Sequence, residues 1–288
     1  MMMKELKPIL KYAGGKYKEI DKFSKYFPTS FDTYYEPFIG GGAVFFSLSP
    51  KKAVIGDVNK PLIQFYREIK DNFNDIVLET NKMSEIYTKN QNIFYRLKEY
   101  NQEKRISNPN EDFYYDLRKQ FNGLKEREYS IASLYYFINK TAFSGMIRYN
   151  RDGHYNVPFG HYKTFTNKSI SFNHYKLLQN TQIIQCDYTV SFEMAKENDF
   201  MFLDPPYDCV FTNYGNIKTV GDFGEEQHRK LAEDFKKLKC KALLVISDTP
   251  LIRELYKGYI KDEYDKKYAV NIRNRFNSSA KHLIITNY

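Results

Sequence analysis

Apolar positions along this chain follow two different rhythms, and the changeover divides it. Residues 33–36 and 52–56 are short apolar or aromatic runs, the second ending at Asp57. Both are too brief for helices and are bounded by turn-forming residues, so they predict buried strands. Helical spacing over 17–27 stops at Pro28, and further helices are predicted at 43–48 and 61–70. The second of these has Pro61 near its first turn, where a missing N–H is least costly. From 71 to 143 the period is helical, in charged segments at 93–104, 112–121 and 131–143 with no strands between them. Asn150-Arg151-Asp152-Gly153 then separates two short aromatic and β-branched runs, and 146–159 predicts a hairpin. Beyond 169 strands return at 181–186, 199–203 and 242–247, with helices at 225–238 and 251–256. A last strand at 282–287 is expected at an edge or antiparallel to the rest.

This alternation predicts an α/β fold, with a Rossmann-like core built on a mainly parallel sheet. Residues 1–70 and 169–288 form that core, and 71–168 are a mostly helical insertion carrying the hairpin. At 288 residues and 42% hydrophobic composition, a sizeable core is affordable and wholesale disorder is excluded.

Charge adds a partner class. The net formal charge is +9, and residues 140–168 hold five basic side chains against one acid. Such a bias suits a polyanion, whose counterions lysine and arginine displace. Aromatic residues make up 17% with no tryptophan, which fits either core packing or a supply of surfaces for stacking bases. Cys186, Cys209 and Cys240 are too few and too scattered for a disulfide ladder or a metal-ligand set, so a reducing compartment and no metal are expected. No apolar run is long enough for a signal peptide or a membrane span, and a soluble cytoplasmic protein with no membrane partner is expected.

Two segments carry candidate chemistry. Glu36-Pro37-Phe38-Ile39-Gly40-Gly41-Gly42 runs from a strand into a helix, where glycines let backbone approach a ligand closely. A tight strand-to-helix turn would use the same residues. Asp57, at the tip of the next strand, stands where a carboxylate catches ribose hydroxyls, although it is also placed to cap the following helix. Asp204-Pro205-Pro206-Tyr207 follows the apolar run 200–203, and its two prolines fix a rigid exit loop. This loop suits methylation of a ring-conjugated amino group. Such a nitrogen is a poor nucleophile until Asp204 and the Pro205 carbonyl accept its hydrogens, and Tyr207 offers a stacking face for the extracted base.

The chain resembles the Dam-type, alpha-group DNA adenine-N6 methyltransferases over nearly its whole length. Lys11-Tyr12-Ala13-Gly14-Gly15-Lys16 resembles the family's K-W-x-G-G-K, residues 36–42 its E-P-F-x-G-x-G, and residues 204–207 its D-P-P-Y. Between them, 143–150 and 155–160 resemble its DNA-reading hairpin, in alpha-group order. The resemblance implies S-adenosylmethionine as cofactor, held by Tyr12, Gly14, Gly15, Lys16, Glu36, Pro37, Phe38, Gly40, Gly42, Asp57, Asp187 and Asp204. It implies DNA contacts from Lys11, Ser144, Arg148, Asn150, Asn156, Pro158 and His161, with Arg148 suited to bidentate reading of guanine. Tyr12 stands for the usual tryptophan, Ser144 for a common asparagine and His161 for a common arginine; the last two bear on the target site.

The implied reaction is direct methyl transfer to adenine N6 in double-stranded DNA after base flipping, with GATC as the expected site. A restriction endonuclease acting on that site is an expected partner. Cytosine-C5 chemistry is disfavoured, since it uses a cysteine nucleophile, typically after proline, and no Pro-Cys occurs. Cytosine-N4 methylation, an RNA adenine substrate and a DNA-binding protein on an inactive scaffold stay open as alternatives.

Overall fold

The computed structural model describes residues 6–100, 106–207, 223–267 and 279–288; Cys209 lies outside them. The chain opens with α1 (Ile20–Phe23) and a 3₁₀ turn over Ser24–Tyr26. It then alternates β1 (Tyr34–Glu36), α2 (Ala43–Leu48), β2 (Ala53–Asp57) and α3 (Lys60–Asp71). Helices α4 (Phe73–Tyr100), α5 (Pro109–Phe121) and α6 (Ile131–Thr141) follow. The alternation resumes with α7 (Phe172–Gln179), β3 (Thr181–Gln185), α8 (Tyr188–Met194), β4 (Phe200–Leu203), α9 (Glu225–Lys237), β5 (Lys241–Ser247) and α10 (Pro250–Leu255), and closes on β6 (Ile260–Lys267) and β7 (Ser279–Thr286).

The seven strands lie in the order β3-β2-β1-β4-β5-β7-β6, parallel except for β7, which is antiparallel to both neighbours. Side chains alternate between two apolar layers: Phe200 and Phe202 face one cluster, Met201 and Leu203 the other. A sheet covered on both faces needs strands that are apolar throughout, and β4 is wholly buried. From β1 the chain steps outward to β2 and β3, then returns to β4 on the other side of β1. Strand order therefore reverses between β1 and β4, which opens a crevice at their carboxyl ends.

The final strand is antiparallel as expected, but it is not at the edge, because β6 flanks it. The reading of apolar runs passed over β6, whose Ile-Lys-Asp-Glu-Tyr-Asp-Lys-Lys is mostly charged. Charge is how an edge strand avoids pairing with another chain.

The expected hairpin is also reduced. Only single bridges form, between Tyr149 and Tyr155 and between Ala142 and Phe159. Side chains of the α5 region satisfy its backbone instead of a full ladder: Asn122 accepts from the Tyr155 N–H and donates to its carbonyl, at 2.8 and 3.0 Å. Tyr114 and Arg118 both donate to the Val157 carbonyl.

Helix α6 is buried on almost every side, and its Tyr135 packs on Phe65 of α3 with ring centroids 5.9 Å apart. The helices of residues 71–168 thus share one apolar cluster with the sheet.

Candidate active site

The crevice is framed by the loop after β1 and the loop after β4. In the first, Gly40 and Gly42 have positive φ (45° and 68°), and a Cβ on Gly41 would stand 2.9 Å from Cβ of Tyr12. The glycines are there because the half-buried Tyr12 ring lies directly on this loop, 3.0 Å from where a Cβ of Gly40 would be. Tyr66 holds the loop from beneath, its hydroxyl donating to the Gly40 carbonyl at 2.8 Å. Phe38 stacks on Tyr188, and Pro37 lies against Gly56 of β2.

Asp57 ends β2 with its carboxylate turned back to this loop, accepting from the N–H groups of Gly40 (3.2 Å) and Asn59 (2.9 Å). The cap of α3 is Asn59 and not Asp57. Burial pushes the Asp57 carboxyl up to about 6 against the pull of these N–H donors. Each of its oxygens retains acceptor capacity, as a ribose-binding carboxylate requires. Asp187 lies at the end of β3, exposed, where it caps α8 by accepting from the N–H and hydroxyl of Thr189. A glycine cradle and two carboxylates at adjacent strand tips fit an adenosyl cofactor.

The second loop carries Asp204-Pro205-Pro206-Tyr207. Lys16, fully buried, reaches from the Gly14-Gly15 turn to place Nζ 2.6 Å from Asp204 Oδ1, in contact with the Tyr207 hydroxyl and 3.1 Å from the Gly14 carbonyl. Tyr207 also donates to Asp204 Oδ1, at 3.3 Å. Lys16, expected at the cofactor, has its head group on the loop after β4. Glu36 likewise faces inward, accepting from the Tyr34 hydroxyl at 2.6 Å. Burial, with the Asp204 charge nearby, drives its carboxyl up to about 8 despite the Tyr34 bond, so it is largely protonated at neutral pH.

Of the residues expected at DNA, Lys11 is the most firmly built in. Asn139 of α6 clamps its backbone on both sides, at 2.9 and 2.8 Å. Its side chain passes Gly145, where a Cβ would meet Lys11 Cδ at 2.6 Å, and lies over the Tyr162 ring. Ser144 and His161 are exposed, both with positive φ (53°). Arg148 is exposed and steadied by Asn156, donating to its side-chain oxygen at 2.7 Å and to its carbonyl at 3.3 Å. Asn150 builds the turn, accepting from the N–H groups of Asp152 and His154, and the Pro158 carbonyl accepts from Phe143.

Neither Asn139 nor a largely buried cluster of Glu19, Tyr264, Lys266 and His282 beside Tyr207 was expected from the sequence. An asparagine inside an apolar helix was a readable signal for the first; the second comes from segments distant in the chain and left none. Among the described residues, no group of three or more histidine, cysteine, aspartate or glutamate side chains converges as a metal site, and no helix is long and apolar enough to cross a membrane.

The chain is similar to known proteins over most of its length. The profile of the D12 class N6 adenine-specific DNA methyltransferases matches residues 12–272. The type II methyltransferase M.CviBI of Paramecium bursaria Chlorella virus NC1A is 37% identical, over 98% of this chain and 100% of that protein. M.MjaIII of Methanocaldococcus jannaschii is 30% identical, over 99% and 100%. The DNA adenine methylase of Haemophilus influenzae is 32% identical, over 88% and 83%.

Proposed function

The chain belongs to the D12 class N6 adenine-specific DNA methyltransferases, and from that premise we propose that it methylates a flipped adenine within GATC in duplex DNA, using S-adenosylmethionine. When bound, the cofactor supplies an electrophilic methyl group on a sulfonium. Tyr12, the glycine loop, Asp57 and Asp187 hold it. Asp204 and the Pro205 carbonyl accept the two hydrogens of the adenine amino group and draw its lone pair out of the ring. Tyr207 stacks on the base, and in-line placement lowers the barrier further. Lys16 holds the Asp204 carboxylate and the Tyr207 hydroxyl together until the base arrives.

Residues 71–168 act as the target-recognition region and the remainder as the catalytic region. Lys11 and Arg148 read bases, and the other basic side chains of residues 140–168 meet phosphates. Two of the relatives are type II methyltransferases by name, which supports a cognate restriction endonuclease as partner, with the protein working in the cytoplasm.

One observation carries this reading: Asp204-Pro205-Pro206-Tyr207 leaves β4 at the strand-order reversal, facing the glycine loop of β1. Asp204→Ala, assayed by methylation-sensitive digestion and by sequencing of DNA from expressing cells, is expected to lose about 10²–10⁴-fold in rate. An unchanged rate would sink the mechanism, and methylation outside GATC would correct the site.

A further inference from the structure

A polar cluster, buried at Glu19 and His282 and half-buried at Tyr264 and Lys266, lies against Tyr207, and methyl transfer as outlined makes no use of it. Glu19, after the Gly14-Gly15 turn, is 8% exposed, and His282 of β7 is fully buried. His282 Nδ1 is 3.1 Å from Glu19 Oε2, and the Tyr264 hydroxyl donates to the same oxygen at 2.8 Å. Lys266 pairs with Oε1. The His282 ring stands edge-on to Tyr207, with centroids 5.3 Å apart and planes at 70°. On another side it meets Tyr264 in the same manner, at 5.5 Å and 71°.

We propose that His282 is a positioning residue for methyl transfer, its ring oriented by Glu19 so that Tyr207 is held in the plane that receives the target adenine. A carboxylate accepting from Nδ1 fixes an imidazole in rotation and tautomer, and an edge-to-face contact transmits that orientation to the neighbouring ring. Glu19 also steadies the other arm of the loop: its N–H donates to the Lys16 carbonyl at 2.8 Å, and Lys16 grips Asp204 and Tyr207. Glu19 thus stands behind both side chains, its backbone N–H on the Lys16 carbonyl and its carboxylate on the ring of His282. Apolar residues would hold β6 to β7 with less desolvation, so a buried ionic cluster at this spot argues for geometry over stability.

The proposal rests on Tyr207 stacking on the base, and its test separates the two ideas. Single-turnover methylation is measured for His282→Leu, His282→Phe, Tyr207→Ala and the Tyr207→Ala/His282→Leu pair, with cofactor affinity and thermal unfolding followed alongside. His282→Leu is expected to slow transfer about ten- to a hundredfold, the scale of a misplaced reacting group, with cofactor affinity unchanged. His282→Phe, which keeps the ring edge but loses the bond to Glu19, falls between the leucine variant and wild type. In the Tyr207→Ala background the leucine substitution has no further effect, because two residues acting as one unit are not additive. Equal losses in both backgrounds, or a phenylalanine no better than leucine, overturn the proposal. An unaffected Tyr207→Ala enzyme would remove the stacking role as well. A slow Tyr207→Ala beside a normal His282→Leu would remove only the role of His282. If His282→Leu does not fold, Glu19→Gln is compared in the same two backgrounds, with the same outcomes decisive.

Discussion

Asp57 and Glu19 show how the same functional group is set in opposite directions by what surrounds it. Burial dominates at Asp57 and raises its carboxyl to about 6. Burial also acts on Glu19, but bonds from His282 and Lys266 outweigh it and hold the group down to about 2. The linkage signs follow. Asp57 contributes stability only while protonated, and that contribution disappears as pH rises through about 6; Glu19 contributes above its ordinary value of 4.5 and loses this as pH falls toward 2. In the proposed role Asp57 accepts ribose hydroxyls best when ionised, so cofactor binding followed by calorimetry is expected to weaken as pH falls below about 6. Asp57→Asn should bind more weakly at neutral pH and lose that dependence; a wild-type affinity flat from pH 7 to pH 5 contradicts the role. Residue types carried this much in advance: the tetrapeptide, the glycines and Asp57 announce themselves through chemistry that few other settings need. The inward turn of Glu36 and the grip of Lys16 on Asp204 were not legible, because a charge in a sequence does not say which way it points.

Elements were legible in proportion to their apolar content. Strands β1, β2, β4 and β5 are largely apolar or aromatic and fell where the pattern predicted, as did β3 on its central Ile183-Ile184, whereas β6 escaped because its pleat is charged on both faces. The loop around residues 150–153 misled in a different way. Its Asp-Gly turn is real, yet Asn122 stands in for a partner strand on both backbone groups of Tyr155. Removing that side chain leaves a buried donor and acceptor without partners. Asn122→Ala is therefore expected to reduce the local opening free energy at the Tyr155 amide by about 1–3 kcal/mol. Hydrogen exchange reads this directly, and protection equal to wild type would show that the loop keeps its shape without the clamp.

The helical insertion cannot be lifted away from the sheet at the scale of the whole molecule. Phe65 and Tyr66 of α3 share one apolar cluster with Tyr87, Tyr114 and Tyr135. A chain with residues 72–170 replaced by a short linker would expose that aromatic face. It is expected to lose cooperative thermal unfolding by circular dichroism, whereas a sharp transition would show an autonomous core. This fusion was not legible in the sequence, since the buried face of a helix reads the same whichever body it packs on.

Strand β7 carries a consequence for how the protein is made. It lies between β5 and β6 although it follows both in the chain, so β6 has no sheet edge to join until β7 has docked. Chains fold from the amino end as they leave the ribosome, so the glycine loop and the tetrapeptide emerge while the sheet is still open. His282 arrives only with β7, after the other six described strands have been made.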